Sequence, residues 1–380
     1  MLIDYEILRL IWWALLGVLL VGFAVTDGFD LGVGMLLPFV ARTDSERRVV
    51  INTVGPVWEG NQVWFILGGG AIFAAFPAIY AVAFSGFYLA MFLVLCALIL
   101  RPVAFKFRSK IEDRRWRSTW DWALFVSGLV PSLIFGVAFG NVLQGAPFHF
   151  DDSLRLIYEG DLLGLLNPYA LLCGLVSVGM MTSHGAAWLA GKTEQPVGRR
   201  AYRILQISAF TTIVLFCLAG VWSAFGIAGH RIAGVLVTRG PSNPMLKQVY
   251  TEVGGLLSNY HLHPWMIAAP FLAIVCAALA IGPYRESRTP RLIWLTGLSI
   301  VGIVCTAGFS LFPFMLPSST TPDVGLTVYD ATSSQLTLQI MLVATVIFMP
   351  LILLYTAWVY RVLRGRVTER WIESRGHQVY

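Results

Sequence analysis

Residues 8–38 read LRLIWWALLGVLLVGFAVTDGFDLGVGMLLP, and this apolar run decides the fold class. A helix needs about 20 apolar residues to cross the hydrocarbon core of a bilayer. The chain of 380 residues is 57% hydrophobic and only 13% charged, with a mean hydropathy of +0.71, whereas soluble domains carry about 25% charged residues. The composition therefore predicts an all-α, polytopic membrane protein in which residues 1–380 form a single membrane domain.

Eight further apolar segments follow the first, so the sequence predicts nine transmembrane helices. No small-residue cleavage site follows the first run, and we interpret it as a retained helix rather than a signal peptide. The second and third segments are separated only by a break at Pro77, and fusing them would give eight spans. The nine predicted spans cover approximately residues 8–38, 50–77, 79–101, 119–141, 163–190, 204–228, 264–283, 291–313 and 336–360.

The positions of the basic residues favour nine spans over eight. With nine spans, 22 of the 27 Lys and Arg residues fall on one side, whereas eight spans would put basic loops on both sides. Positively charged loops stay in the cytoplasm, so the amino terminus is predicted to be periplasmic and the carboxyl terminus cytoplasmic. This distribution, and not nucleic-acid binding, explains the net charge of +6. The basic clusters lie within residues 42–48, 101–117, 192–203, 285–291 and 361–375.

Four ionisable residues inside the first three predicted spans form the candidate functional site. Asp27 and Asp30 lie in the inner half of the first span, Glu59 lies in the second, and Arg101 ends the third. With a rise of about 1.5 Å per residue, these side chains fall at overlapping depths. Leaving one charge in lipid costs at least about 2.5–3.5 kcal/mol. We therefore expect the three acids and the one base to meet in one pocket.

The chemistry of this pocket is open to three interpretations: a structural ion-pair cluster, a site of proton uptake, or a site for a monovalent cation. Asp27 and Asp30 share a helix face because they are three residues apart. Pairing with Arg101 would hold one acid ionised, while like charge and desolvation would favour a proton on the second. Neighbouring polar groups are predicted to support the cluster by hydrogen bonding; they belong to Trp58, Asn61 and Gln62.

Histidine and cysteine positions give no sign of a metal or cofactor ligated by this chain. His184 is the one histidine well inside a predicted span, and in the polar context MTSHGA we interpret it as a hydrogen-bonded packing residue. The five cysteines lie in apolar runs without a CxxC pair. The sequence contains no CxxCH, GxGxxG or P-loop motif. The chain alone is therefore expected to have no metal site and no catalytic residue for redox chemistry or nucleotide hydrolysis.

Long ordered stretches of the chain resemble subunit II of cytochrome bd ubiquinol oxidase. The stretches include GPVWEGNQVW at the start of the second span and WDWALFVSGLVPSLIFGVAFGNVLQGAPF in the fourth; they cover residues 4–38, 55–110, 120–148 and 312–338. The resemblance implies a fold of two four-helix bundles plus one helix. It also implies a bacterial inner-membrane complex with a haem-bearing subunit I, which ligates haem b and haem d, and a small single-span accessory subunit. That complex would oxidise quinol and reduce O2 to water, generating a proton gradient.

The resemblance also implies roles for individual residues. Asp27, Asp30 and Glu59 would line a polar path or ion site near the subunit interface. Relatives often read HWDGNQVW, so here Val57 replaces a histidine and Glu59 replaces an aspartate, which puts any histidine-dependent relay in doubt. Trp64 matches the start of an apolar O2 route toward haem d. In some members a quinone occupies subunit II as a structural filler.

Two other classes of protein compete with this interpretation. An H⁺- or Na⁺-coupled secondary transporter could use the same acidic cluster. Such transporters usually show two corresponding broken helices in inverted repeats, and this sequence has one acidic cluster without a second copy. A bare assembly scaffold, without any role in turnover, is the third interpretation.

Overall fold

The computed structural model describes residues 3–151, 153, 155–234, 236–283 and 289–375, and the chain is mostly helical. Arg285 and Arg288, which belong to one predicted basic loop, lie outside the described residues. The α-helices are α1 Tyr5–Val40, α2 Asp44–Val54, α3 Trp58–Ala75, α4 Pro77–Gly86, α5 Tyr88–Leu98, α6 Leu100–Phe107, α7 Arg114–Gln144, α8 Pro168–Lys192, α9 Val197–Phe225, α10 Ser258–Leu262, α11 Ala268–Ala280, α12 Thr289–Leu311, α13 Gln335–Val362 and α14 Glu369–Arg375.

Helix α1 is the central element that positions the candidate site. It has 36 residues, about 54 Å at 1.5 Å per residue, so it extends beyond an apolar core of about 30 Å. It packs against α3, α7, α8 and α12. A Cβ built on Gly32 would lie 2.1 Å from the Met181 carbonyl oxygen and 2.9 Å from the Gly185 Cα. The backbones of α1 and α8 therefore touch at a level where only glycine fits.

The chain reverses direction between α3 and α5, at the break that the sequence places beside Pro77. Helix α3 ends at Ala75, whose carbonyl oxygen accepts a hydrogen bond of 2.9 Å from the Ser333 amide. Phe76 leaves helical geometry with φ −133° and ψ 63°, and Pro77 begins α4. Helices α5 and α6 then return toward the opposite end of α1. The two predicted segments therefore run antiparallel.

The described residues contain seven helices that are long and apolar enough to cross a membrane, and an eighth if a bent pair counts as one span. That pair, Gly255–Leu262 and Pro264–Ala280, is bent by 114°. The predicted second span is outside this set because α3 begins with polar residues and carries three consecutive glycines, which lower its hydropathy. The seven segments are Tyr5–Val40, Tyr88–Lys110, Arg114–Gln144, Pro168–Lys192, Val197–Phe225, Thr289–Leu311 and Gln335–Val362.

Among the described residues, three antiparallel hairpins lie in the loops that the prediction assigned to the outer side. The all-α prediction is therefore wrong for these loops. The first pairs Phe148–Phe150 with Leu156–Tyr158, the second pairs Ala228–Ala233 with Gln248–Val253, and the third pairs Phe314–Leu316 with Leu326–Thr327. These strands hold β-branched and aromatic residues, which favour a pleated, half-buried surface. The hairpins cover the ends of the helices and extend one apolar core cluster, which includes Leu8, Trp12, Phe76, Phe148 and Leu326.

Candidate functional site

A buried ion pair joins α1 to α6 at the centre of the candidate site. Arg101 Nη1 donates to Asp27 Oδ1 over 2.6 Å, and the two side chains are 3% and 1% exposed. The pair forms because α6 returns antiparallel to α3 and brings Arg101 to the carboxyl-terminal half of α1. An ion pair buried to this degree is strongly coupled, since neither partner can be solvated alone.

The second acid, Asp30, is bonded to a different helix. Asn61 Nδ2 donates to Asp30 Oδ2 over 2.7 Å, and both residues are buried. The Tyr360 hydroxyl donates to Asn61 Oδ1 over 2.6 Å. Tyr360 lies near the end of α13, and its hydroxyl extends the polar chain from that helix. Three helices thus meet at this acid.

Three buried polar atoms of the cluster have no hydrogen-bond partner among the described residues. They are Asp27 Oδ2, Asp30 Oδ1 and Arg101 Nη2. A cavity of about 10 Å³ is lined by Asp30 and Arg101 together with apolar residues of α1, α2, α6 and α7. This is about the space that one water molecule needs. The cluster therefore combines unsatisfied polar atoms with room for one small polar species.

The structure does not bring Glu59 into this cluster, contrary to the expectation that four ionisable residues meet. Glu59 is exposed on the surface of the chain, and within the described ranges it has no hydrogen-bond or ion-pair partner. The reason is helical phase: Trp58 and Asn61, three residues apart, face inward, so Glu59 and Gly60 between them face outward. Trp58 packs on Phe105 with ring centroids 5.3 Å apart, and Gln62 makes no hydrogen bond to the cluster in the described structure.

Trp64 lies one helical turn beyond Asn61 on α3 and is packed against α1. It is 9% exposed, and a Cβ built on Gly22 would lie 2.4 Å from its Cε3 atom. Four residues further along α3, Gly68 is buried, yet a Cβ there would meet no atom within 4 Å. The inner face of α3 therefore carries a packed indole followed by open space.

His184 is a fully buried residue with both ring nitrogens bonded. Nε2 lies 2.9 Å from the Val25 carbonyl oxygen, and Nδ1 lies 2.7 Å from the Thr296 hydroxyl. Because a carbonyl oxygen only accepts, Nε2 carries a proton and donates it to the Val25 carbonyl oxygen. The interpretation of this histidine as a hydrogen-bonded packing residue agrees with these contacts. Within the described residues no group of His, Cys, Asp and Glu side chains is placed to hold a metal ion.

A large apolar cavity of about 560 Å³ lies between α1, α7, α8, α9, α11 and α12. Phe139, Met180 and Ile303 represent its apolar wall. Polar groups gather near one end, where the Tyr169 hydroxyl lies 2.7 Å from the Ser223 hydroxyl. Elongated apolar molecules with one polar end match such a cavity. No sequence motif marks this cavity, because its wall residues look like ordinary apolar span residues.

A second ionic network, not anticipated from the sequence, lies near the beginnings of α2 and α7. Asp121 Oδ1 accepts from Arg108 Nε over 2.6 Å, and Asp121 Oδ2 accepts from Arg47 Nη1 over 2.7 Å. Arg108 also bonds Asp44, which in turn bonds Arg117. Basic residues of two predicted clusters, 42–48 and 101–117, are therefore neutralised inside the fold, and their ion pairs hold α2 against α7.

Arg9, at the other end of α1, is completely buried and has no carboxylate partner among the described residues. Its guanidinium donates to the Thr238 carbonyl oxygen over 2.5 Å, the Gly240 carbonyl oxygen over 3.0 Å and the Thr332 hydroxyl over 2.9 Å. It also lies 3.7 Å from the centre of the Tyr5 ring. These contacts tie the start of α1 to two loops more than 200 residues away, and no local pattern in the sequence announces them.

Comparison with known proteins shows which family this chain resembles. Residues 8–363 match the family described as cytochrome bd terminal oxidase subunit II. The chain is 50% identical over 379 residues to cytochrome bd-I ubiquinol oxidase subunit 2 of Escherichia coli strain K12, covering 100% of both chains. It is 47% identical over 379 residues to a probable cytochrome oxidase subunit 2 of Haemophilus influenzae, again covering 100% of both.

More distant proteins share the same architecture. Cytochrome bd ubiquinol oxidase subunit 2 of Bacillus subtilis is 31% identical over 363 residues, which are 95% of this chain and 97% of that protein. The solved structure of bd oxidase from Geobacillus thermodenitrificans aligns with a TM-score of 0.70 at 18% identity, over 93% of this chain and 98% of that chain. At that identity the likeness shows the fold. The extent of the family match and the full-length relatives show that this chain belongs to the cytochrome bd terminal oxidase subunit II family.

Proposed function

We propose that this chain is the haem-free subunit II of a quinol oxidase, and that it contributes an ion site and an O2 route to a haem-bearing subunit I. Family membership makes it a subunit of an oxygen-reducing terminal oxidase with a subunit I partner, haem in the complex and an inner-membrane location. The relatives give no support to a secondary transporter. The haems, when bound, supply the electron transfer and oxygen chemistry. Assignment of all haem ligands to subunit I is supported by His184, whose ring nitrogens are both engaged within this chain.

The membrane arrangement of the proposal has nine crossings, with a periplasmic amino terminus and a cytoplasmic carboxyl terminus. The antiparallel run of α3 and α5 supports a crossing on each side of Pro77, although α3 is less apolar than the other spans. Two four-helix bundles plus one helix would accommodate these crossings, with α13 as a candidate for the single helix because it is exposed along most of its length. A small single-span accessory subunit would complete the complex.

The observation that carries the proposal for the ion site is its charge balance. Two buried carboxylates, Asp27 and Asp30, face one guanidinium, Arg101, so the ionised cluster has one uncompensated negative charge. A buried charge without a partner costs several kcal/mol. We infer that the site takes up one positive charge, as a proton or as a monovalent cation, beside the unpaired Asp30 Oδ1 atom. A purely structural cluster is the outcome that the experiment must separate from this role.

The test replaces Asp30 with Asn in the whole complex and measures quinol-dependent O2 consumption against pH and Na⁺ concentration. We expect turnover to fall about tenfold or more while the haem absorption spectrum keeps its amplitude. Glu112→Gln, at an exposed position, is the matched control with the same charge change. In the unmodified complex, dependence on Na⁺ at constant ionic strength indicates a cation, whereas dependence on pH alone indicates a proton. Unchanged turnover of Asp30→Asn under all conditions would leave only the structural role.

The exposed face of α3 is the proposed contact with subunit I. Glu59 lies on it together with Val63, Ile66 and Phe73, which are 51%, 68% and 61% exposed. A carboxylate facing lipid is expensive, so a protein partner is the better cover for this face. Glu59→Gln should slow turnover more than it lowers haem content if this carboxylate delivers protons at the interface. Equal turnover at every pH would contradict delivery through Glu59.

The O2 route is proposed to follow the inner face of α3, past Trp64 and the open space beside Gly68. O2 is small and apolar, so it concentrates in lipid and moves through gaps between packed helices. Trp64→Ala should alter the apparent KM for O2 without altering haem content, because it changes access and not the reaction centre. An unchanged KM would remove Trp64 from the route.

The cavity of about 560 Å³ is the proposed site of a structural quinone. Its mostly apolar wall suits an isoprenoid tail, and its polar groups suit a ring with carbonyl oxygens. Val304→Trp would fill the cavity, whereas Leu218→Trp adds the same ring at an exposed position of α9. We expect extracted quinone per complex to decrease in the first variant only. Equal quinone content in both variants would refute this site.

A further inference from the structure

The last transmembrane helix reaches the buried acid cluster with a single side chain. Among the residues of α13, Leu338 alone is buried, near the beginning of the helix. Tyr360, near its end, is half-buried. Between them, Val343, Ile347 and Leu354 are each more than half exposed. A helix that is exposed along most of its length therefore places one hydroxyl in the polar centre.

The hydrogen bond from Tyr360 determines which way the Asn61 amide points. An amide has one acceptor oxygen and one NH2 donor group. Because the Tyr360 hydroxyl donates to Asn61 Oδ1 over 2.6 Å, the NH2 group is turned toward Asp30 Oδ2, 2.7 Å away. Asn61 is 2% exposed, so no solvent competes for either end of the amide.

We propose that Tyr360 is a positioning residue that acts through Asn61 to hold Asp30 as an acceptor, in its unprotonated form. Without the phenol, the Asn61 amide can turn over and present Oδ1 to Asp30. A carbonyl oxygen and a carboxyl oxygen share a hydrogen bond only if the carboxyl carries the proton. Loss of one hydroxyl on α13 therefore favours protonated Asp30, although the two residues are not in contact.

The ring of Tyr360 is held independently of its hydroxyl. Its centroid lies 6.5 Å from the Phe29 ring and 6.1 Å from the Trp188 ring, both edge-to-face. Phe29 and Trp188 are themselves stacked at 4.1 Å. Tyr360→Phe keeps this aromatic packing and removes only the donor. The substitution therefore separates the hydrogen-bond role from a packing role.

The test is infrared spectroscopy of the purified complex, which detects the carbonyl stretch of a protonated carboxyl group. We expect Tyr360→Phe to increase the ratio of protonated to ionised Asp30 about tenfold or more, because the carboxylate loses the hydrogen bond that the Asn61 NH2 group donates to it. The band is assigned to Asp30 if Asp30→Asn in the same background removes it. Asn61→Leu, which lacks the donor entirely, should produce the same band. Tyr355→Phe, at a position 65% exposed on the same helix, is the control.

The proposal is overturned if the spectra of Tyr360→Phe and Asn61→Leu equal that of the unmodified complex, or if Tyr355→Phe gives the same change. The role of Tyr360 rests on the proposed ion site only for its effect on turnover. A protonated Asp30 could not hold a cation and would shift the pH profile of turnover. A new Asp30 band with unchanged turnover would therefore support the role of Tyr360 while refuting the uptake role of the cluster. The two failures are distinguishable in one set of variants.

Discussion

Replacing Arg101 with Met tests the central ion pair most directly. The substitution keeps much of the apolar stem but removes the guanidinium that donates to Asp27 over 2.6 Å. Asp27 would then be a carboxylate 1% exposed, beside a second acid, without a counter-charge. Removing one partner of a buried pair costs about 3–5 kcal/mol. At about 1.4 kcal/mol per factor of ten, the ratio of folded to unfolded chain should fall by roughly 10²- to 10⁴-fold.

The assay is heat treatment of the solubilised complex followed by size-exclusion chromatography, monitored by haem absorption and by a fluorescent tag on this chain. Arg101→Met should lower both the yield and the temperature at which the assembled peak disappears. Adding Asp27→Asn removes the uncompensated charge and should restore at least half of the lost stability. Glu252→Gln breaks the exposed pair with Arg231, whose side chain is 35% exposed, and should have little effect because such pairs contribute about 0.2–1 kcal/mol.

The result that would refute the reasoning is a double variant no more stable than Arg101→Met alone. The cost would then come from lost packing of the arginine stem and not from the stranded charge. A loss equal to that of Glu252→Gln would also contradict it, since burial would have added nothing to the pair.

Three further predictions concern packing, pH and gas access. Gly32→Ala should strongly reduce the thermal stability of the complex, since its Cβ would lie 2.1 Å from a carbonyl oxygen of α8, whereas Gly17→Ala, with open space on the same helix, should be neutral or stabilising. Burial acts to raise the pKa of Glu46, but hydrogen bonds from the Arg200 guanidinium and from two backbone amides outweigh burial and lower that pKa below the ordinary 4.5. Ionised Glu46 therefore stabilises the fold above about pH 4.5, and this stability is lost as the pH falls. When thermal unfolding is followed from about pH 6 downward, Glu46→Gln should lose less stability than the unmodified chain. Gly68→Val should raise the KM for O2 at constant haem content, while Gly70→Val, at an exposed position, should not.

The sequence predicts what depends on composition and short-range spacing. Asp27 and Asp30 share a face of α1 because three residues separate them, and Arg101 reaches their depth because the chain turns back at Pro77. Both features follow from helical geometry and the position of one proline. The resemblance extended these local inferences to a family that the comparisons then showed.

The remaining parts of the site depend on rotation and on contacts distant in sequence. Glu59 was expected in the cluster, but the phase of α3 is fixed by where Trp58 begins the helix after the turn at residues 55–57. Tyr360 bonds Asn61 across 299 positions of sequence. Neither outcome is encoded in a local pattern, because a shift of one residue on a helix turns a side chain by about 100°.

The burial of Arg9 places a condition on how this chain matures. In the part of the chain that the structure describes, its guanidinium pairs with no acid and is satisfied by oxygen atoms of residues 238, 240 and 332. Those acceptors are synthesised more than 200 residues after Arg9 itself. Until then the first helix carries a cation without its final hydrogen-bond acceptors. A chain truncated before Thr332 therefore keeps an unsatisfied guanidinium at Arg9.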